Sequence, residues 1–300
     1  MFEKTWNKTG RVYGPKRIFG NMIVYLLLVI ITIPILVGYA WLVIATFSHR
    51  TEGLLPKNVA GNIGGWTLQN WGFVTNPHIW QMTLNSFIIA ISMVIGVGSI
   101  SSLAGYALSR MNFIGRRGFL SMTIVLHAFP SVTLLISIFF VLRFITNIPG
   151  IGSVLGYNTA GGIALVMISL DLPLGIWLMK GFFDNVSWDT EQSALIDGAS
   201  RLRIWWEIIL PQIKPGLAAL AIFTFLTGWS AYLVPATFTI GTQMANLPVY
   251  LNQLQGDTAL TNWNIVAAVG LFQLVPVLMF FIFSQKLLLN IYSGGVKGGV

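Results

Sequence analysis

Hydrophobic residues fall into long runs along this chain, and short polar segments separate the runs. A helix needs about 20 mainly apolar residues to cross the roughly 30 Å hydrocarbon core of a bilayer. The runs that reach or approach this length are 23–47, 83–108, 119–143, 160–180, 215–239 and 264–289. The sequence therefore predicts an all-α polytopic membrane protein with six transmembrane helices.

The composition supports the same fold class. Hydrophobic residues make up 55% of the chain and charged residues only 9%, too few to cover a water-facing surface. Most of the exterior is therefore expected to contact membrane lipid. Neither an internal repeat nor a soluble domain is visible, so residues 1–300 are predicted to form a single transmembrane domain.

The chain offers little chemistry for an enzyme. His49, His78 and His127 are isolated, with no spacing typical of a metal site or a catalytic relay. The absence of cysteine excludes disulfides, thiolate metal sites and cysteine nucleophiles. We predict no catalytic site and no metal site in this chain.

Positive charge predicts the orientation in the membrane. All of the 17 Lys and Arg residues except Arg50, Lys57 and Arg143 lie near the N-terminus, in the 109–118 and 180–214 loops, or near the C-terminus. Cytoplasmic loops carry such an excess of basic residues. Segments 1–22, 185–214 and 290–300, and with them both termini, are therefore predicted to be cytoplasmic. Since no basic run is interleaved with aromatic residues, nucleic acid is not an expected partner.

The outer segments 48–82 and 240–263 have a different character. The first contains Trp66, Trp71 and Trp80 among many Gly and Asn residues. Indole side chains at this position are typical of an aromatic belt at the membrane interface. A surface that binds a periplasmic partner is the alternative, and the sequence leaves both open.

A polar interruption at 191–211 has helical spacing. Its apolar residues recur at intervals of four and three, which is one face of a helix. They are Leu195, Ala199, Leu202, Trp206 and Ile209. Gly198 lies inside the pattern and permits a bend, while Pro211 marks an end and Pro215 prevents continuation into the next span. We predict two short helices with a turn near Gly198, lying along the cytoplasmic surface. On periodicity alone, an ordinary amphipathic helix at the membrane interface is the favoured alternative.

The complete pattern of this segment resembles the EAA loop of bacterial ABC importer permeases. That loop reads EAA, three residues, Gly, nine residues and Ile-x-Leu-Pro. The matching positions, in register and without a gap, are Gln192-Ser193-Ala194, Gly198, Ile208, Leu210 and Pro211. The run Asp197-Gly198-Ala199 is also similar to the variant found in sugar permeases.

This resemblance implies a type I ABC importer permease fold and a cytoplasmic loop that docks on an ATPase subunit. The residues it assigns to ATPase coupling are Glu191, Gln192, Ser193, Ala194, Asp197, Gly198, Ala199, Ile208, Leu210 and Pro211. The chain departs from the family at Gln192 and Ser193, where Glu and Ala are usual, although Glu191 is adjacent. Which side chain makes the family's acidic contact with the ATPase stays open.

The C-terminal end carries a second resemblance. It is similar to the tail of the smaller permease subunit of maltose-type systems, which reaches between the ATPase subunits. The residues concerned are Gly294, Gly295, Val296, Lys297 and Gly298. The stretch from Trp177 to Asp184 is also similar to that subfamily.

The resemblance also implies the partners of this chain. They are a second, homologous permease that completes a heterodimer, two ATP-binding subunits, a periplasmic or lipid-anchored substrate-binding protein and a carbohydrate substrate, all at the bacterial inner membrane. The chain lacks the G-x-x-x-x-G-K-[ST] phosphate loop, so ATP and Mg are expected in the partner subunits. The alternatives are an ABC permease for a non-sugar solute, or an ion-driven secondary transporter. A secondary transporter usually has several ionisable residues inside the membrane and an internal repeat.

Polar residues within the spans are candidates for the substrate path. Asp171 is the one acidic residue deep in a span, where a charge is costly and normally faces a cavity or a partner. It contacts either substrate hydroxyls or the companion permease, and Pro173 beside it predicts a bent or broken helix. The other candidates are Asn85, Trp229, Tyr232 and Gln273. For each of them, packing between helices is the alternative.

Overall fold

The computed structural model describes residues 15–241, 244–256 and 261–294. They divide into two compact units. Among the described residues, one unit holds 15–72 together with Asn262–Leu271, and the other holds those of Phe73–Thr261 together with 272–294.

The first unit is built around the end of its long helix. Helix α1 (Pro15–Thr46) is followed by a small antiparallel hairpin of β1 (Arg50–Glu52) and β2 (Leu55–Lys57), in which Thr51 is opposite Pro56. Two buried amide side chains, of Asn70 and Asn264, each donate to the carbonyl of Ser48, at 2.8 and 2.9 Å. The same amides reach carbonyls of the last turn of α1, which that helix cannot satisfy itself.

The second unit is a bundle around α2 (Pro77–Arg110), α6 (Ala160–Asp184) and α9 (Lys214–Trp229). The shorter helices are α3 (Arg116–Ala128), α4 (Ser131–Thr146), α5 (Gly152–Leu155), α7 (Trp188–Ile196), α8 (Arg201–Gln212), α10 (Leu233–Phe238) and α11 (Leu247–Gln253). The last helix, α12 (Trp263–Gly294), begins in the first unit and ends in the second.

Small residues let the long helices of the second unit approach each other closely. A Cβ added to Gly175 of α6 would lie 2.5 Å from the Ser101 hydroxyl of α2. A Cβ added to Gly228 of α9 would lie 2.8 Å from the Cα of Ala90, again on α2. Membrane helices use small residues at such crossings because apolar lipid gives them no hydrophobic reason to associate.

Four helices among the described residues are long and apolar enough to cross a membrane. They are α1 from Gly20 onward, α2, α6 and α12, and they confirm the predicted spans 23–47, 83–108, 160–180 and 264–289. The prediction of single helices at 119–143 and 215–239 is wrong. The first of these regions is α3 and α4, which meet at 101°, and the second ends as a helix at Trp229. Six spans result only if each bent helix pair counts as one.

Proline explains the two sharp bends. Between α3 and α4, Phe129 is extended (φ −73°, ψ 125°) because Pro130 disfavours a helical residue before it. Between α8 and α9, Pro215 lies in the first turn of α9, and the two helices meet at 81°. The predicted interruption at Pro215 is therefore confirmed. By contrast, α6 continues as one helix through Pro173, so the predicted break at that position is wrong.

Candidate functional site

Residues 188–212 form two short helices joined by a tight turn, as predicted. Helix α7 begins after Ser187, whose hydroxyl accepts a hydrogen bond from the Asp189 N–H at 3.2 Å. Helix α8 begins after Ser200, and it contains a π-helical stretch at Ile204–Ile209. Such stretches are rare and often lie at functional sites.

Gly198 occupies the turn because of its backbone conformation. Its φ is +82°, in the left-handed region that favours glycine after the end of a helix. Its N–H donates to the carbonyl of Leu195 at 3.1 Å. A Cβ at Gly198 would meet no atom within 4 Å, so lack of space is not the reason for glycine here.

The predicted apolar face of this segment is only partly correct. Ile209 is buried, but Leu202 and Trp206 are 67% and 63% exposed. The buried residue in the first half of α8 is Ile204. The turn at Gly198 changes the rotational phase between the two helices, so a periodicity read across it places Leu202 and Trp206 of α8 on the wrong face.

We define the outer face of the 188–212 segment by six of its exposed side chains. These are Gln192, Ser193, Ile196 and Asp197 on and after α7, and Leu202 and Trp206 on α8. Ile196 is 86% exposed. The outer face thus combines large apolar and polar side chains, both exposed.

The inner face packs on the long helices of the second unit. Ala194, Ile204 and Ile209 join one hydrophobic cluster with Val97 of α2 and Phe183 of α6. Among the other predicted coupling residues, Ala199, Ile208 and Leu210 are partly buried against this cluster, whereas Pro211 is exposed. The segment is therefore packed against both long helices.

Glu191 lies inside this interface, fully buried. Its Oε1 accepts a hydrogen bond from the Tyr106 hydroxyl at 2.7 Å and lies 3.5 Å from Nη1 of Arg201. Its Oε2 lies 3.0 Å from Nε of Arg110. Arg110 also donates to the carbonyl of Val186 at 2.7 Å. The charge is thus paired, as a buried carboxylate requires, and it is not on the outer face.

The predicted tail residues fall at the edge of the described chain. Gly294 is the last residue of α12. The remaining tail residues, Gly295, Val296, Lys297 and Gly298, lie outside the described residues.

A cavity of about 370 Å³ opens in the second unit where the α3–α4 and α9–α10 breaks face α6. Its polar lining comes from His127, Ser131, Asp171, Thr227 and Tyr232. Oδ2 of Asp171 is buried and has no hydrogen-bond partner among the described residues. Asp171 and Tyr232, two of the predicted path residues, therefore share one cavity. The helix breaks that create it were not predicted.

Asn85, Trp229 and Gln273 do not line this cavity. The Asn85 amide donates to the carbonyl of Ala245 at 3.0 Å. Trp229 is fully buried, its Nε1–H donates to the Gln273 carbonyl at 2.9 Å, and its ring lies against Phe87 at 4.7 Å. For Asn85 and Trp229 these contacts correspond to the helix-packing alternative, whereas the side-chain oxygen of Gln273 is buried and has no hydrogen-bond partner among the described residues.

Residues 97–290 match the family of binding-protein-dependent transport system inner membrane components. The match covers more than half of the chain. The chain belongs to this family. Membership in a family of inner membrane components agrees with the long apolar helices of the fold.

Curated relatives of this inner membrane component span nearly its whole length. It is 28% identical over 284 residues to the maltodextrin transport system permease protein of Bacillus subtilis, covering 94% of this chain and 97% of the relative. It is also 28% identical over 261 residues to the sulfoquinovosyl glycerol transport system permease protein of Agrobacterium fabrum, covering 86% and 87%. The trehalose/maltose permease of Thermococcus litoralis is 27% identical over 274 residues, covering 90% and 94%.

Solved structures share the fold of this inner membrane component. A chain of a bacterial ABC transporter involved in the import of the acidic polysaccharide alginate superposes with a TM-score of 0.74 at 22% identity, covering 92% of this chain and 99% of that one. A chain of the MetNI methionine ABC transporter gives 0.56 at 14% identity, covering 74% and 97%. The predicted all-α permease fold of an ABC importer is thereby confirmed.

Proposed function

We propose that this chain is the permease subunit of an ATP-driven importer and forms half of the translocation path for a sugar or oligosaccharide. Family membership supports the transport role. Relatives named as permeases for maltodextrin, trehalose/maltose and diacetylchitobiose support a carbohydrate substrate. A second permease of the same fold would complete the path.

The proposal includes partners that supply the energy and the substrate. Two ATP-binding subunits would hold ATP and Mg, since this sequence has no phosphate-binding loop. A periplasmic or lipid-anchored binding protein would deliver the sugar, in keeping with the binding-protein-dependent family. The distribution of Lys and Arg supports cytoplasmic termini and a cytoplasmic 188–212 segment.

The observation that carries the proposal is the two-sided character of residues 188–212, here called the coupling segment. Its inner face is packed on α2 and α6, while its outer face exposes Ile196, Leu202 and Trp206. An ATPase subunit that grips the outer face would move the two long helices. Closure of the ATPase subunits around ATP would thereby open the path outward, and hydrolysis would reset it.

The geometry also supports a choice for the acidic contact with the ATPase. Glu191 is fully buried, whereas Asp197 is exposed on the outer face, next to Gly198 in the turn. We assign the acidic contact to Asp197. Gln192 and Ser193 are exposed beside it and would contribute neutral hydrogen bonds.

The cavity at Asp171 and Tyr232 is the part of the path that this chain would contribute. Carboxylate and phenol oxygens suit sugar hydroxyls, and the Tyr232 ring suits the C–H face of a sugar. The Tyr232 hydroxyl already donates to Asn252 at 2.9 Å, so it is held in place and can still accept a hydrogen bond.

Cysteine labelling tests the coupling assignment directly, because the chain has no cysteine of its own. Ile196→Cys and Ile114→Cys each place one thiol at a highly exposed isoleucine, and only Ile196 lies on the outer face. Maleimide labelling is compared with and without the ATPase subunits. We expect protection at Ile196→Cys and none at Ile114→Cys. Equal labelling of Ile196→Cys in both states would remove the docking role from this segment.

A further inference from the structure

Three helices converge on the single carboxylate of Glu191. Tyr106 and Arg110 come from the last turns of α2, Glu191 belongs to α7, and Arg201 is the first residue of α8. The Arg110 and Glu191 side chains are 7% and 0% exposed, so this contact is shielded from water. Arg110 is also stacked on the ring of Trp188, 5.1 Å from its centroid.

The turn between α7 and α8 has little packing of its own at Gly198. A Cβ there would have no atom within 4 Å, and glycine is the least restricted residue in its backbone angles. The angle between the two helices must therefore be held by contacts elsewhere. The Glu191–Arg201 contact at 3.5 Å spans the turn and is one such contact.

The buried charge of Glu191 makes the contact between α7 and α2 resistant to displacement. A carboxylate that stays buried while it loses a partner carries the full cost of its desolvation, so a shift of α7 along α2 that breaks these contacts without admitting water is strongly unfavourable. Hydrophobic contact alone is non-directional and tolerates sliding. The hydrogen bond from Tyr106 at 2.7 Å is directional and fixes α7 at one register on α2, and the ion pair with Arg110 at 3.0 Å, which lacks hydrogen-bond geometry, adds attraction at the same place.

We propose that Glu191 is a positioning residue for energy coupling, whose buried carboxylate fixes the angle of α7 and α8 against the end of α2. When the outer face is displaced, α2 is then displaced with it, because the coupling segment cannot rotate independently of α2. This inference rests on the proposed function, and it gives Glu191 a role inside the chain instead of a contact with the ATPase.

Asp184 provides a matched control. Its Oδ1 accepts a hydrogen bond from the Ser109 hydroxyl of α2 at 2.6 Å, and Lys180 pairs with its other oxygen. It therefore lies near the same end of α2 as the Glu191 cluster. It connects α2 with α6 only, however, and its side chain is 40% exposed.

The experiment uses the complete transporter reconstituted with its partner subunits and measures solute imported per ATP hydrolysed. We expect Glu191→Gln to lower this ratio about fivefold or more while ATP hydrolysis continues, in the range of typical coupling energies. Asp184→Asn should leave the ratio unchanged. A purely structural role would reduce the amount of assembled transporter and lower both rates together, and an unchanged ratio would overturn the proposal.

A milder variant decides the question if Glu191→Gln fails to assemble. Tyr106→Phe removes only the 2.7 Å hydrogen bond and keeps the ring that contacts Phe183. We expect a smaller fall in the ratio, of about twofold or more, because the substitution removes one of several contacts and the ion pair with Arg110 remains. An unchanged ratio in Tyr106→Phe would overturn the positioning role. Failure of the unmodified transporter to couple ATP to uptake would instead overturn the proposed function.

Discussion

Gly105 of α2 lies directly against Met179 of α6. A Cβ at Gly105 would come within 2.8 Å of the Met179 Cβ and 2.9 Å of the Lys180 backbone nitrogen. Because Gly105 has no side chain, α2 and α6, on which the coupling segment packs, approach each other closely at this point. Close backbone approach of this kind strengthens van der Waals packing between membrane helices.

Gly105→Ala should therefore destabilise the protein. The added methyl group forces α2 and α6 apart, and overpacking of this kind costs about 1–3 kcal/mol. Gly98→Ala is the matched control in the same helix, since a Cβ there meets nothing within 4 Å. It should be neutral or slightly stabilising, because alanine favours a helix. Thermal unfolding in detergent measures both, and equal midpoints would contradict the close contact.

Gly198→Val should impair coupling by straining the turn. At φ +82° a β-branched residue is unfavourable, and a left-handed residue costs roughly 1–2 kcal/mol. Gly198→Asn should retain most of the function, because asparagine tolerates this conformation. ATPase activity stimulated by the substrate-loaded binding protein is the measurement. Equal stimulation in the two variants would show that the left-handed turn is unimportant.

Trp229→Phe should affect stability and leave substrate affinity unchanged. The substitution removes the hydrogen bond to the Gln273 carbonyl and part of a fully buried ring. The expected loss of unfolding free energy is about 1–3 kcal/mol. Thermal unfolding and the KM for uptake are measured together. A raised KM with unchanged stability would return Trp229 to the substrate path.

Asp171→Asn tests the cavity. The substitution keeps the shape of the side chain and removes its charge. If the carboxylate accepts a substrate hydroxyl, the KM for uptake should rise about tenfold or more, as for a hydrogen bond to a charged group. An unchanged KM together with weaker association with the second permease would assign Asp171 to the subunit interface instead.

Hydropathy predicts the long straight helices of this protein well and its helix breaks poorly. Pro34, Pro173 and Pro276 lie inside helices, whereas Pro130 ends one. Neighbouring helices and side chains satisfy the backbone groups that a proline frees, so the outcome depends on tertiary contacts. The hydropathy of the apolar run at 119–143 therefore does not distinguish it from the other spans, although α3 and α4 meet there at 101°.

In the coupling segment too, the sequence predicts local features but not tertiary contacts. The position of Gly198 in the sequence predicts the turn, because the left-handed backbone conformation of a turn is a local requirement that glycine meets. The environment of Glu191 is not local, since Tyr106, its hydrogen-bond donor, lies 85 positions earlier in the chain. A glutamate beside a family motif suggests an external contact, and only the packing of α7 on α2 places it inside.

Uptake into proteoliposomes tests the central claim most directly. The chain is reconstituted with its second permease and ATP-binding subunits, and labelled sugar is offered with the binding protein. We predict uptake that requires ATP and persists when the proton and sodium gradients are collapsed. Uptake that follows an ion gradient and needs no ATP would contradict the account.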